Sequence, residues 1–130
     1  MAGHLAALVP GDAAVSAVTI SGVRKAFPGH GSGDEAVLAL QDVSFGVADR
    51  EFCSILGHSG CGKTTLLMLL AGFEQPSAGS ILVDGKPVGA PTWQRTVVFQ
   101  DYALFPWMTV EENIGFGLEM KGVAAAARRE

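Results

Sequence analysis

Residues 57–64 combine glycines, a lysine and a threonine at spacings that suit phosphate binding. They fit the pattern G-x-x-x-x-G-K-[ST], whose last two positions are Lys63 and Thr64. Glycine lacks a Cβ, so the backbone can approach a phosphate closely and point successive N–H groups at it. The lysine adds a full positive charge for the outer phosphates, and the threonine hydroxyl is a hard oxygen ligand for Mg²⁺. The pattern predicts a phosphate-binding loop with a magnesium ligand at its end.

The residues on either side of this loop predict the strand and the helix that must hold it in place. Residues 52–56 are mostly apolar and are typical of a buried strand. The run after Lys63 is rich in Leu and Met and has no glycine or proline before Gly72, which indicates a helix with a glycine stop. The start of that helix adds unpaired N–H donors and the positive end of its dipole. A chance glycine turn before a core helix is the alternative, and the agreement of loop, strand and helix disfavours it.

Four stretches outside this region predict further strands. Residues 15–26 and 36–48 form a hairpin-like pair that leads into the loop strand, which indicates an antiparallel β layer beside the nucleotide core. Residues 81–83 predict a short strand, and Asp84–Gly85 after it is a strong hairpin signal. Residues 95–99 predict one more strand.

The segment after residue 100 predicts an irregular aromatic stretch followed by a helix. Three aromatic residues crowd together in it: Tyr102, Phe105 and Trp107. They suit either the core of a buried loop or a docking surface, since exposed aromatic residues cluster at interfaces. Residues 109–112 read Thr-Val-Glu-Glu, a capping box that opens a helix.

Composition and charge exclude several classes of protein. The 48% hydrophobic content with 17% charged residues indicates a globular chain rather than a disordered one. The net charge of −4 does not indicate the basic surface that nucleic-acid binding requires. The longest apolar run is about ten residues, half of what a membrane-spanning helix needs. Residues 1–15 contain no Lys or Arg, so they make a poor signal peptide and predict a loose tail. Cys53 and Cys61 fall on different elements and predict two reduced thiols rather than a disulfide.

Two stretches resemble the ATP-binding subunits of ABC transporters. Residues 57–88 carry the loop and its helix, a glycine, a Pro-Ser-x-Gly turn and an Asp-Gly hairpin in the order typical of that family. Residues 97–122 look like its Q-loop segment, in which a strand ends in Phe-Gln and leads into a helical lobe. The resemblance covers about residues 16–127 and implies an α/β fold, a P-loop NTPase core with an antiparallel β subdomain. It also implies that residues 16–130 are the N-terminal part of such a domain, truncated before the helical lobe is complete.

The resemblance implies ATP and Mg²⁺ as cofactors and assigns a role to each matching residue. Phe27 corresponds to the aromatic residue that stacks on adenine; the alternative is a core residue, because the loop after it is longer than usual. Gln100 corresponds to the Q-loop glutamine, which reaches Mg²⁺ or the attacking water, so Thr64 and Gln100 are the implied metal ligands. The residues matched to phosphate binding are Gly57, His58, Ser59, Gly60, Cys61, Gly62, Lys63, Thr64 and Thr65.

Several motifs of the family have no counterpart in these 130 residues. The LSGGQ signature, the Walker B aspartate with its adjacent catalytic glutamate, and the switch histidine are all missing, so no catalytic residue is assigned. We therefore expect the chain alone to be inactive as an ATPase. The alternative to an importer ATPase is a truncated nucleotide-binding module that does not turn ATP over.

The resemblance also implies partners and a location. Residues 104–113 (LFPWMTVEEN) look most like the subgroup that imports nitrate, sulfonate, taurine or similar small anions. The implied partners are permease subunits that dock near Asp101–Glu112 and a second ATPase subunit in a homodimer. The expected location is the cytoplasmic face of the cell membrane, and nucleic acid is not an expected partner.

Overall fold

The computed structural model describes residues 6–7, 16–29, 31, 35–101 and 104–128. The chain divides into two compact units, Met1–Thr96 and Val97–Glu130. The elements of the first unit are β1 (Ala6–Ala7), β2 (Ser16–Phe27), β3 (Val37–Ala48), β4 (Ile55–Leu56), α1 (Lys63–Ala71), β5 (Ala78–Val83) and β6 (Lys86–Pro87). The second unit contains α2 (Val110–Met120).

An antiparallel sheet of order β3-β2-β5-β6 forms the frame of the first unit. Strands β2 and β3 pair from Ser16 opposite Ala48 to Phe27 opposite Val37, which confirms the predicted antiparallel layer. Strand β5 starts three residues before the predicted 81–83 because it pairs with β2 as far as Ala78 opposite Arg24. The predicted hairpin is also confirmed: β5 and β6 pair across a turn in which Asp84 and Gly85 have φ values of 50° and 72°.

The core of the first unit lies between this sheet and α1. Its buried side chains are Ile20, Val23, Leu40, Leu66, Leu69 and Ile81. Each such side chain contributes about 1.5–3 kcal/mol on burial, so the two leucines anchor α1 to the sheet. Helix α1 ends at Gly72, whose φ of 85° and hydrogen bonds to Leu69 O and Met68 O confirm the predicted glycine stop.

The strand before the phosphate loop is shorter and more exposed than predicted. Strand β4 covers Ile55–Leu56 rather than 52–56, and Phe52 is 91% exposed. A strand extends only as far as its hydrogen-bonded neighbour, and the neighbour of β4 in the described residues is the two-residue β1. The prediction of a buried strand over 52–56 is therefore wrong in length and in burial. Strand β1 itself belongs to the stretch that the sequence predicts as a tail, and most of that stretch lies outside the described residues.

The predicted capped helix is present in the second unit, whereas residues 95–99, which cross the boundary between the units, do not form the predicted strand. The Thr109 hydroxyl accepts a hydrogen bond from Glu112 N at 3.3 Å, and the Glu112 carboxylate accepts one from Thr109 N at 2.7 Å, so the capping box is confirmed. Residues 95–99 form no strand, and Val98 is 95% exposed. The prediction fails because no strand in the described ranges lies beside these residues to complete a ladder.

None of the helices in the described part of the chain has the length and hydrophobicity that crossing a bilayer requires.

Candidate nucleotide-binding site

The glycine loop between β4 and α1 takes its shape from glycine positions that other residues would not tolerate. Gly60 and Gly62 have φ values of 77° and 98°, in the left-handed region. A Cβ on Gly62 would lie 2.6 Å from Leu40 Cδ2 and 2.7 Å from Ala39 O, so the loop rests directly on β3. A Cβ on Gly57 would lie 2.5 Å from Cys61 Sγ. The loop therefore packs too closely against its own cysteine and against the sheet for side chains at these two positions.

The first turn of α1 presents backbone N–H groups without a competing cap. Gly62 is the N-cap residue, and the first hydrogen bond of the helix runs from Leu66 N to Gly62 O at 2.9 Å. No side chain in the described ranges caps this end, and the first turn has no acidic residue. A helix start of this kind attracts an anion through its N–H groups and its dipole. The residues present therefore fit a phosphate group.

The ammonium of Lys63 lies over the loop itself. Its Nζ donates hydrogen bonds to Gly57 O at 2.8 Å and to His58 O at 2.7 Å, and it is 3.6 Å from Cys61 Sγ. Cys61 is buried, whereas His58 is exposed with its Nδ1 2.8 Å from Ser59 O. The positive charge is thus held at the loop before any ligand arrives.

The candidate site offers a magnesium ion few protein ligands. Thr64 is exposed on the first turn of α1, and Thr65 beside it is half-buried. In the described residues no group of three His, Cys, Asp or Glu side chains is placed to hold a metal ion. Mg²⁺ commonly takes one or two protein ligands and completes its shell with phosphate oxygens and water. The residues present therefore fit an ion that arrives with a nucleotide.

Phe27 and Gln100 fall in different units. Phe27 ends β2 in the first unit, where it is half-buried and outside the core cluster. Gln100 belongs to the second unit, and its side chain is exposed. Residues 57–65 are brought together as one loop and helix start. Their predicted role in phosphate binding stays a prediction, as do the predicted roles of Phe27 and Gln100.

Of the three aromatic residues predicted to crowd together, two are described and Tyr102 lies outside the described residues. Phe105 packs against Trp107 and Phe116 in tilted ring pairs with centroids 5.5 Å and 4.6 Å apart. Phe105 is half-buried, while Trp107 is 75% exposed and Leu104 is 67% exposed. Both readings of the aromatic stretch hold in part, because one ring packs inside the unit and another faces solvent.

Two residues to which the sequence assigned no role contact the aromatic residues described above: Asn113 contacts Phe105, and Lys25 contacts Phe27. Asn113 fixes the turn before α2: its side chain exchanges hydrogen bonds with Phe105 N at 2.8 Å and Phe105 O at 3.2 Å. Lys25 lies beside Phe27, with its Nζ 4.7 Å from the ring centroid. Alternation along a strand puts residues i and i+2 on one face, and that signal could have found the Lys25–Phe27 pair.

Comparison with known proteins places these features in one family. The model of the ABC transporter family matches residues 40–130. The taurine import ATP-binding protein TauB of Burkholderia pseudomallei is 55% identical over 93 residues, which are 72% of this chain and 36% of that protein. The spermidine/putrescine import ATP-binding protein PotA of Mesorhizobium japonicum is 53% identical over 110 residues, 82% of this chain and 29% of that protein. The chain thus spans about a third of the length of these curated relatives.

Solved structures show the same fold. A dimeric, post-hydrolysis state of the ATP-binding cassette MJ0796, bound to ADP and Pi, aligns with a TM-score of 0.72 at 27% identity, covering 86% of this chain and 52% of that one. The cbiO1 protein of Clostridium perfringens, part of the transporter complex cbiONQ, aligns with a TM-score of 0.64 at 22% identity over 89% of this chain and 47% of that one. The second likeness shows the fold alone. Because the family model covers most of the chain and the structural neighbours are ABC cassettes, this protein belongs to the ABC transporter family and has the ABC ATPase type of fold.

Proposed function

We propose that this protein is the ATP-binding subunit of an ABC importer and couples ATP binding and hydrolysis to uptake of a small anion such as nitrate, a sulfonate or taurine. The observation that carries the proposal is the Lys63 ammonium, held 2.7–2.8 Å from two loop carbonyls at the start of α1. The relatives TauB and PotA are import ATP-binding proteins, for taurine and for spermidine/putrescine, and they support an importer. The choice of small anions as the imported substrates is based on TauB, because taurine carries a sulfonate group, and on residues 104–113. PotA does not support this choice, because spermidine is a cation.

The proposed binding mode follows from the groups that the chain supplies. The N–H groups of residues 57–65 donate to the phosphate oxygens, and Lys63 neutralises charge on the outer phosphates as its ammonium turns from neutral carbonyls to anionic oxygens. The contact of the ammonium with a phosphate oxygen is stronger than its contact with a loop carbonyl, because it joins two opposite charges rather than a charge and a dipole. Phe27 stacks on the adenine ring. Thr64 and Gln100 serve as ligands of Mg²⁺, which when bound neutralises further phosphate charge.

The proposed partners are a permease and a second ATPase subunit. The segment Asp101–Glu112 is the proposed docking region, and its exposed apolar residues Leu104 and Trp107 support contact with another protein. The dimeric state of the MJ0796 cassette supports pairing with a second ATPase subunit. Permease docking would put this chain on the cytoplasmic face of a membrane. The net charge of −4 argues against nucleic acid as a partner.

An ATPase assay tests this proposal against the alternative of a nucleotide-binding module without turnover. Phosphate release from Mg·ATP would be measured for the full protein and for Lys63→Ala, with Lys86→Ala as a control that removes the same charge from the exposed end of the hairpin. We expect release that Lys63→Ala abolishes and Lys86→Ala retains. Nucleotide binding without phosphate release would refute the importer ATPase and leave the binding module.

A further inference from the structure

The side chain of Lys25 is held by three partners beside the residue proposed to stack on adenine. Its Nζ pairs with Glu74 Oε2 at 2.7 Å and donates to Gln75 O at 2.9 Å. The same atom lies 4.7 Å from the ring centroid of Phe27. Only 12% of the Lys25 side chain is exposed. An ammonium with these partners has one defined position, unlike the usual surface lysine.

The position of this ammonium determines how the Phe27 ring can be used. A cation within about 6 Å of a ring centroid is attracted by the negative face of the ring. Lys25 therefore covers one face of Phe27 and restrains the ring, while the half-buried state of Phe27 leaves part of it open to solvent. A flat base that stacks on Phe27 would therefore use the face that Lys25 does not cover, and the ring would not first have to be ordered. Such preorganisation raises affinity by lowering the entropy lost on binding.

The contacts of Lys25 also join the end of β2 to the segment that follows the phosphate-loop helix. Glu74 and Gln75 come directly after α1 and its Gly72 stop. Two further hydrogen bonds tie the same segments together: Ser77 N donates to Arg24 O at 2.8 Å, and Ala26 N donates to Ser77 Oγ at 3.1 Å. The aromatic ring and the helix that carries Lys63 are thus linked through one network within the first unit.

We propose that Lys25 is a positioning residue for the nucleotide: it fixes the Phe27 ring at one end of the site and ties it to the helix of the phosphate loop. The proposal rests on the proposed function, because it requires Phe27 to stack on adenine. Lys25 does not touch the phosphates in this scheme, since its ammonium is already paired with the Glu74 carboxylate. Its removal should therefore weaken recognition of the base and leave recognition of the phosphates unchanged.

Calorimetry with two ligands separates these effects. Mg·ATP carries both base and phosphates, whereas inorganic tripolyphosphate carries phosphates alone. The intact protein would be compared with Lys25→Met, which keeps the length and apolar stem of the side chain, and with Lys86→Met as a control. We expect Lys25→Met to weaken ATP affinity about three- to tenfold, the range of one cation–π contact and its ordering effect. Tripolyphosphate affinity should stay unchanged, and Lys25→Arg, whose guanidinium also makes cation–π contacts, should keep ATP affinity above that of Lys25→Met.

A double-mutant cycle tests whether Lys25 acts through the ring. If it does, Lys25→Met should cause no further loss of ATP affinity when Phe27 is already alanine. An unchanged ATP affinity in Lys25→Met, an equal loss in the Phe27→Ala background, or an equal loss for tripolyphosphate would each overturn the proposal. If Lys25→Met does not fold, as judged by circular dichroism, Glu74→Gln replaces it, and wild-type ATP affinity in that variant would overturn the proposal.

The same titrations distinguish failure of this inference from failure of the proposed function. A wild-type protein that binds neither ATP nor tripolyphosphate refutes the nucleotide site, and Lys25 positions nothing. A wild-type protein that binds both, with Lys25→Met indistinguishable from it, refutes the role of Lys25 alone.

Discussion

Gly62 combines a positive φ with close neighbours, and it is both the N-cap of α1 and the point where the loop touches the sheet. Its φ of 98° lies in the left-handed region, where a Cβ costs about 1–2 kcal/mol. Its neighbours Leu40 and Ala39 leave no room for that Cβ. Gly60 shares the positive φ but has nothing within 4 Å of its Cβ position. A comparison of the two glycines therefore separates the energetic cost of backbone strain from the cost of steric overlap within one loop.

Alanine at Gly62 should destabilise the protein more than alanine at Gly60. We expect Gly60→Ala to lower the free energy of unfolding by about 1 kcal/mol through backbone strain alone. Gly62→Ala should lower it by about 2–4 kcal/mol, because overpacking adds to the strain. Urea denaturation monitored by circular dichroism measures both values. Equal losses for the two variants would contradict the close approach of Gly62 to β3.

Residue-level predictions from the sequence succeed where the signal is local. The loop from Gly57 to Thr64 and the glycine stop at Gly72 are encoded by consecutive residues, so the sequence alone predicts them. The Lys25–Glu74 ion pair joins residues 49 positions apart, and nothing in the local pattern of either residue indicates the other. The burial of Cys61 against Gly57 is likewise visible only in three dimensions, although both residues belong to the predicted loop.

At the scale of elements, α2 depends on its cap more than on its own apolar residues. Val110 and Ile114 are 77% and 78% exposed, so within its own unit the helix buries little there. Its start is instead fixed by the Thr109–Glu112 box and by the Asn113 side chain. A helix of this length is marginal without tertiary or capping contacts. Loss of the capping interactions should therefore destabilise α2 more than loss of its exposed apolar side chains.

Removal of the cap should destabilise α2 selectively. Thr109→Ala loses the hydroxyl that accepts from Glu112 N and should cost about 1 kcal/mol, while Thr109→Ser keeps a hydroxyl and should cost little. Amide hydrogen exchange in residues 111–114 measures the local effect. Unchanged protection in the alanine variant would show that the cap does not hold the helix start.

The capping box also makes the stability of α2 depend on pH. The backbone N–H of Thr109, and then its hydroxyl, hold the pKa of the Glu112 carboxyl below its ordinary value. A lowered folded-state pKa means that the contribution is fully present above the unfolded-state pKa of a glutamate and is lost as the pH falls through the folded-state value. The difference in amide protection between wild type and Glu112→Gln should therefore be present at neutral pH and shrink in acid. A difference that does not change with pH would exclude the charged cap.

The predicted strands are absent where the described residues provide no neighbouring strand to pair with. Residues 95–99 and 52–54 carry an apolar pattern typical of strands, yet neither is a strand in the structure. A single strand has no stability of its own, since its N–H and C=O groups need a neighbour. The predictions of β2 and β3 are confirmed, because these two twelve-residue strands pair with each other. Local pattern thus predicts where a strand can form, and pairing decides whether it does.

At the scale of the whole molecule, the first unit is organised around the contact between α1 and the sheet. Leu69 is fully buried in this contact, while Leu67 on the same helix is 42% exposed. We expect Leu69→Ala to lower the free energy of unfolding by about 2–5 kcal/mol and Leu67→Ala by less than about 1 kcal/mol. Denaturant titration of the two variants checks this. Similar losses would mean that α1 does not pack on the sheet through the Leu69 face.

The division into two units explains which part of the candidate site the sequence could predict. The predicted phosphate loop lies within one unit and is encoded by one continuous stretch, so its residues lie together in the structure, while its role in phosphate binding stays a prediction. The predicted adenine and magnesium contacts draw on Phe27 in the first unit and Gln100 in the second. Their roles come from family resemblance alone, because no local pattern relates two residues so far apart in the chain.

The most direct test of the central claim is a calorimetric titration of Mg·ATP into this 130-residue chain, its Lys63→Ala variant and the Lys86→Ala control. We predict that the wild type and the control bind with a dissociation constant on the order of 0.1–1 mM, about −4 to −5.5 kcal/mol. Lys63→Ala should weaken binding at least about tenfold, because the charge held over the loop is gone. An affinity for Lys63→Ala equal to that of the wild type would contradict the assignment of residues 57–65 as the nucleotide site.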